Sequence, residues 1–181
     1  MRQHEPAIEF THEVTGDTPP QRIFVARSRL PASSETAFAW HERPGALQRL
    51  LPPWDRTMVR SQIGGIRDGG RIELSVSAGP ARVKWIALHQ NYRPPHQFED
   101  RQLEGPFDEF VHTHRILATG NGTSELEDAI RYRLPFGRVG DWLANRLVRR
   151  KLEQMFRYRH ETTRRDLAAA APSQGVAPMN I

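Results

Sequence analysis

His112 and His114 stand two apart in a segment that alternates apolar and polar residues, so a strand running from Glu109 to Thr119 turns both imidazoles the same way. A second strand, from Ser124 to Leu134, sets Leu126, Ile130, Tyr132 and Leu134 on one face and Glu125, Glu127, Arg131 and Arg133 on the other. That alternation places Asp128 on the apolar, inward side. An inward carboxylate needs a cationic or hydrogen-bonding partner, or a raised pKa. An imidazole oriented by a carboxylate works as a general acid or base near neutrality, which makes His112, His114 and Asp128 the candidate catalytic groups. The same groups could hold the polar end of a ligand, or satisfy one another in the core and fix the sheet register.

Which partner Asp128 meets depends on the hairpin. If Asn121-Gly122 is a two-residue turn, Arg115 falls opposite Asp128 in a buried ion pair. A three-residue loop puts Ile116 opposite Asp128 and brings His112 and His114 inward together with Phe110. The second register is preferred because it buries Phe110 and Ile116, and the sequence leaves the first open. On neighbouring strands the same alternation adds Trp85, His89, Phe98 and Asp100 to the inner face. His112 and His114 could also share a metal with an acid or histidine from an adjacent strand. An H-x-H pair without a fixed third-ligand spacing is common by chance, so an ordinary polar cluster is expected, with no metal and no other cofactor.

The elements that must position these residues follow from punctuation and periodicity. Arg22 to Leu30 reads as a strand ended by Pro31, and Ser33 or Ser34 then caps a short helix running to Pro44-Gly45. A second short helix, Ala46 to Leu51, stops at Pro52-Pro53. Six strands separated by turn residues fill Asp55 to Pro135, in the manner of an antiparallel meander. After Pro135-Phe136-Gly137, Val139, Trp142, Leu143, Leu147, Val148, Leu152, Met155, Phe156 and Leu167 recur at helical spacing, which predicts one long amphipathic helix. Trp40, Leu50, Leu51 and Trp54 are read as wedges between the short helices and the sheet. The layout is α+β, with helices covering one face of a curved sheet. Sheet and helix cannot interdigitate everywhere, so a cavity between them is expected.

A chain of 181 residues suits one hydrophobic core. Residues 21–167 are expected to form one ligand-binding domain, with 1–20 and 168–181 as flexible tails. The absence of cysteine excludes disulfides, thiolate metal sites and cysteine nucleophiles. No run of about 18 apolar residues and no charged-then-apolar leader occurs, so neither stable membrane insertion nor secretion is expected, and the cytoplasm is the expected location. The net charge of +5 could serve an anionic partner. Its arginines are spread along the chain, and the densest group, Arg146, Arg149, Arg150 and Lys151, is read as a solvated helix face, so no nucleic acid is expected. Gly64-Gly65 and Gly69-Gly70 join strands and so are hairpin turns, not phosphate loops. No nucleophile-elbow pattern supports a hydrolase triad.

Several segments together carry a family resemblance. They are Trp40-His41-Glu42-Arg43-Pro44-Gly45-Ala46, Arg49-Leu50-Leu51-Pro52-Pro53-Trp54, Phe98-Glu99-Asp100, Gly105-Pro106-Phe107 and His112-Thr113-His114. Leu126-Glu127-Asp128, Tyr132-Arg133-Leu134-Pro135 and Phe156-Arg157-Tyr158-Arg159-His160 complete the set. In these the chain resembles the SRPBCC or START-like superfamily, which includes polyketide cyclase/dehydrase-like and lipid-transport proteins, and within it a bacterial subgroup of stand-alone members. The resemblance implies a helix-grip fold: a curved antiparallel sheet of about seven strands around a long C-terminal helix, with two short helices after the first strand. It also implies a hydrophobic ligand cavity, and it suggests a separate epimerase-like protein as a partner.

The first functional reading is binding of a small hydrophobic or amphipathic molecule, including a lipid, between sheet and C-terminal helix. Its expected contacts are Trp85, His89, Phe98, Asp100, Phe110, His112, His114, Asp128 and Tyr132. The alternative is an enzyme of the cyclase, dehydratase or isomerase kind, with a histidine as general base and an aspartate orienting it. A third is a non-catalytic interaction protein with a filled core. Ligand identity and oligomeric state are not encoded in any of these patterns.

Overall fold

The computed structural model describes residues 8–16, 20–78 and 81–170. Gly79-Pro80, read from sequence as a turn, and most of the segment expected to be a C-terminal tail lie outside them. Eight antiparallel strands form one sheet: β1 (Glu9–Val14), β2 (Arg22–Leu30), β3 (Met58–Ile63), β4 (Arg71–Ala78), β5 (Ala81–Arg93), β6 (Gln97–Glu104), β7 (Glu109–Gly120) and β8 (Thr123–Arg133). Helices α1 (Ser34–Glu42) and α2 (Ala46–Arg49) follow β2, and α3 (Gly137–Ala170) follows β8. The sheet order is β1-β2-β8-β7-β6-β5-β4-β3, so the meander β3 to β8 folds round until its last strand pairs with β2. This is the helix-grip architecture, with one strand more than expected.

The extra strand is β1, in a stretch read from sequence as part of a tail. Phe10 and His12 alternate with exposed residues; Phe10 stacks on Phe24 at 5.8 Å and His12 Nε2 contacts Glu153 at 2.8 Å. A strand with only two partly buried side chains gives too little periodicity to read locally. At the other end α3 continues to Ala170, since alanine favours helix and nothing in Ala168–Ala170 stops it.

α1 starts where expected: the Ser33 hydroxyl accepts from the Thr36 amide at 3.3 Å and Glu35 lies in the first turn. It ends where Arg43 turns extended ahead of Pro44. The β7–β8 hairpin differs from both expected registers. Asn121 and Gly122 have φ of 53° and 72°, as a two-residue turn of the primed kind needs. One extra residue in β7 between Ala118 and Gly120 then shifts the ladder, so His114 pairs with Asp128 and Ile116 with Leu126. The bulge combines the short turn of one alternative with the inward histidines of the other.

Apolar packing is divided in two. Leu30, Phe38, Phe98, Ile116, Leu126 and Leu167 belong to one cluster; Phe24, Phe110, Ile130, Leu152 and Phe156 belong to the other. Each element crossing the core carries a polar residue between its contributions to the two: Ser28 on β2, His112 and His114 on β7, Asp128 on β8, His160 on α3. A polar layer therefore runs through the molecule at one level.

The first turns of α3 correct one sequence expectation. Val139, Trp142, Leu143 and Leu147 fit a core-facing stripe, yet Trp142 is 81% exposed and the other three are exposed as well. Leu152, Phe156 and Leu167 are buried further along. The opposite side of these turns meets the sheet through polar and small groups: buried Asp141 pairs with Arg22 of β2, and Ala144 and Val148 pack against the second cluster and, with Leu147, line the cavity. Among the described residues no helix is long and apolar enough to cross a membrane.

Candidate functional site

Between the sheet and α3 lies a cavity of about 900 Å³. Its walls are largely apolar: Leu50 and Leu51 after α2, Ile72, Leu74 and Val76 on β4, Trp85 and Ala87 on β5, Val148, Leu152 and Phe156 on α3. Polar residues that break this lining include two distinct groups. Arg56, Arg82 and Lys151 are exposed and mark where it meets solvent. His41, His89, Asp100, His112 and His114 are drawn from the polar layer and its surroundings and form the inner floor.

The floor is ordered by two carboxylates. His112 sits between them, its Nε2 3.0 Å from Asp128 Oδ1 and its Nδ1 3.4 Å from Asp100 Oδ2. His114 Nδ1 lies 2.6 Å from Asp128 Oδ1, and its Nε2 lies 3.8 Å from Asp100 Oδ1. On the far side His160 Nε2–H donates to Asp128 Oδ2 at 2.8 Å, while its Nδ1 meets the Ser28 hydroxyl at 2.7 Å. Asp128 thus faces three imidazoles. The Phe98 ring stacks on His114 at 4.1 Å and 14°, and Phe156 stands edge-on to His112 at 5.2 Å.

Charge follows from these distances. Burial disfavours a charged His112, but the facing carboxylates of Asp100 and Asp128 outweigh it and push the pKa up to about 9. Burial also disfavours ionised Asp100 and Asp128; the imidazoles outweigh it and hold both well below the usual carboxylate range. His41 is the opposite case: burial lowers its pKa to about 4, and its Nδ1–H donates to the Ala37 carbonyl at 2.8 Å. Burial lowers His89 as well. The floor therefore presents the ionised Asp100, a protonated His112 and the neutral imidazoles of His41 and His89, with the ionised Asp128 behind them, a set that can bind a polar group or move a proton.

The model of the polyketide cyclase/dehydrase and lipid transport family matches residues 30–157. The chain belongs to this family. Its fold is shared with solved structures of the START/SRPBCC superfamily. A protein of Thermus thermophilus superposes with a TM-score of 0.63 at 17% identity, covering 81% of this chain and 97% of that one. Norcoclaurine synthase from Thalictrum flavum, in complex with dopamine and hydroxybenzaldehyde, gives 0.63 at 12% identity over 91% of this chain and 89% of that one. A START superfamily protein from Mycobacterium smegmatis gives 0.58 at 12%, over 81% and 97%. At such identities the likeness is one of fold. No curated protein matches the chain.

Set in this family fold, seven of the residues singled out from sequence line the cavity: Trp85, His89, Phe98, Asp100, Phe110, His112 and His114. Two do not. Asp128 lies behind the histidines as their common anchor. Tyr132 is buried with its hydroxyl donating to Asn145 Oδ1 at 3.3 Å, beside a separate cavity of about 120 Å³ that also borders Arg22 and Arg149. Its ring faces Phe107 on the lining of the larger cavity, but the hydroxyl is directed elsewhere. Trp54, read as a wedge, is 58% exposed, lines the cavity and packs edge-on against Tyr158 at 5.2 Å.

Sequence reasoning missed Ser28 and placed His41 and His160 only in segments that carry the family resemblance. The signal for His41 was present: Ser34, Ala37, Phe38 and His41 recur at helical spacing, and all four are buried. His160 is four residues beyond Phe156 on the same face of α3. Ser28 has no local signal, because a small hydroxyl suits either face of a strand.

Proposed function

We propose that the protein binds a small, mainly apolar molecule whose polar end reaches the histidine and aspartate floor. The observation that carries this reading is a 900 Å³ cavity with apolar walls that ends on buried, ordered polar groups. A filled core would leave no such space. Arg56, Arg82, Lys151 and Arg159 also line the cavity, which favours a ligand carrying an acidic or hydroxylated group. Arg159 is fixed there by donation from Nε to the Leu50 carbonyl at 3.3 Å.

The test compares native and denatured masses of the purified protein, followed by titration with anilinonaphthalene sulfonate as an apolar anion. Wild type should bind one probe per chain. Ala144→Trp, which fills the cavity from α3, should abolish binding while leaving the far-ultraviolet spectrum unchanged. Equal binding by both proteins would sink the reading. The enzymatic alternative is favoured by one observation, the imidazole–carboxylate pairs exposed on the cavity floor. It requires turnover of the bound molecule, lost in His112→Ala; in a carrier that variant changes affinity alone.

A further inference from the structure

We propose that Asp100, His112 and His114 form a binding site for one divalent first-row transition metal ion, open to the cavity. His112 Nε2 and His114 Nδ1 both face Asp128 Oδ1, at 3.0 and 2.6 Å. Asp128 holds His112 Nε2 by a hydrogen bond and lies against His114 Nδ1 as a charge contact without one, which leaves His112 Nδ1 and His114 Nε2 as the ring atoms turned away from it and able to ligate. These two atoms face Asp100, at 3.4 and 3.8 Å from its oxygens.

All three donor atoms lie within 4.8 Å of one another. Ligands of a tetrahedral ion with bonds of about 2.0–2.1 Å are separated by roughly 3.3 Å, so the pocket needs only small side-chain adjustments to close on an ion.

The surroundings are those of a built site. Asp128 is buried and is itself held by His160, whose other nitrogen contacts Ser28. This gives each imidazole ligand a carboxylate behind it and that carboxylate its own support. Phe98 and Phe156 fix the two ring planes. On β5, His89 pairs across the ladder with Asp100; it is buried and its Nδ1 has no hydrogen-bond partner among the described residues. It supplies a further imidazole beside the three ligands. Two imidazoles and one carboxylate, with no thiolate, suit Zn²⁺, Fe²⁺ or Co²⁺, and offer too few oxygens for Ca²⁺ or Mg²⁺. All three ligands line the cavity, so the open coordination position points at whatever the cavity holds.

The experiment uses the full chain without a polyhistidine tag, freed of metal by a chelator. Zn²⁺ is titrated by calorimetry and native mass spectrometry, and Co²⁺ by visible absorption. One ion per chain is expected, with Co²⁺ ligand-field bands in the visible. Asp100→Asn and His114→Gln should each weaken binding at least about 10-fold, and Asp128→Asn, which keeps the three ligands but frees their rings, about 10–100-fold. His12→Gln, on β1 and outside the cluster, should bind as wild type. No stoichiometric uptake by folded protein would overturn the proposal, as would uptake that survives Asp100→Asn combined with His114→Gln. Circular dichroism keeps unfolded variants out of the comparison, and Asp100→Asn decides if Asp128→Asn does not fold. Probe binding in chelator-treated protein is scored separately, so loss of the metal site and loss of the ligand reading are distinguishable.

Discussion

His114 stands directly opposite Asp128 in the β7–β8 ladder, with its Nδ1 2.6 Å from the Asp128 Oδ1. That single pairing joins the two apolar clusters through a polar layer, because His112 and His160 meet the same carboxylate from β7 and from α3. Sheet and helix are thereby fastened at one point, and the cavity begins on its open side.

Asp128→Asn should cost about 3–5 kcal/mol of stability, since it removes the charge that three buried imidazoles face. Asp100→Asn should cost less, because Asp100 is only partly buried and keeps access to the cavity. Urea unfolding of the two variants measures the difference. Equal losses would show that Asp128 is not the anchor.

Glu127, on the outer face of β8, is clamped by Arg27 of β2 at 2.6 Å and Arg115 of β7 at 2.6 Å. Burial opposes its charge, but the two guanidiniums outweigh burial and lower its pKa. A carboxylate whose folded pKa is depressed stabilises fully above its unfolded value and loses that contribution as pH falls through the folded one. Glu127→Gln should therefore be less stable than wild type at pH 7, by about 1–3 kcal/mol. The two unfolding curves should converge as the solution is acidified below the ordinary glutamate range. A gap that stays constant with pH would rule out the charge as its source.

Thr119 is the extra residue of β7, so its deletion leaves Gly120 opposite Thr123 and Ala118 opposite Ser124, with His114 still opposite Asp128. The deletion variant should therefore unfold cooperatively, as should Thr119→Ala, which at an exposed position should stay within about 0.5 kcal/mol of wild type. If Thr119 were an ordinary ladder residue, the same deletion would slip the strand by one residue and turn His112 and His114 outward. Loss of cooperative unfolding in the deletion variant alone would contradict the bulge.

The two halves of α3 should respond differently to truncation. Phe156→Ala should cost about 3–5 kcal/mol because the ring is fully buried against Phe24. Trp142→Ser, despite the larger side chain, should change stability by no more than about 0.5 kcal/mol because Trp142 is exposed. Thermal melts of both suffice to check it.

Local chemistry made much of this architecture legible in the sequence. Pro31, Pro44, Pro52 and Pro53 break the backbone whatever surrounds them, and period-two alternation marks β2 and β4 to β8. The inward face of β8 follows from Leu126, Ile130 and Tyr132 alone, and with it the burial of Asp128. Such signals are legible because each depends on a residue and its near neighbours.

Other features depend on residues far apart in the chain. β1 is a strand because β2 offers it an edge and Phe24 a surface; its own residues do not require it. The bulge at Thr119 is selected by the burial it secures for His112, His114 and Ile116 together, a gain that belongs to the whole sheet. His160 reaches Asp128 from 32 residues away, and Ser28 reaches His160 from 132. The sequence by itself determined the elements, the α+β layering and the inward carboxylate, since backbone sterics and periodicity are local. Tertiary structure alone decided which imidazoles meet that carboxylate, which nitrogen of each is left facing the cavity, and where α3 leaves the sheet uncovered. Those outcomes minimise buried charge and empty space over the whole chain at once, and no short segment contains the terms of that balance.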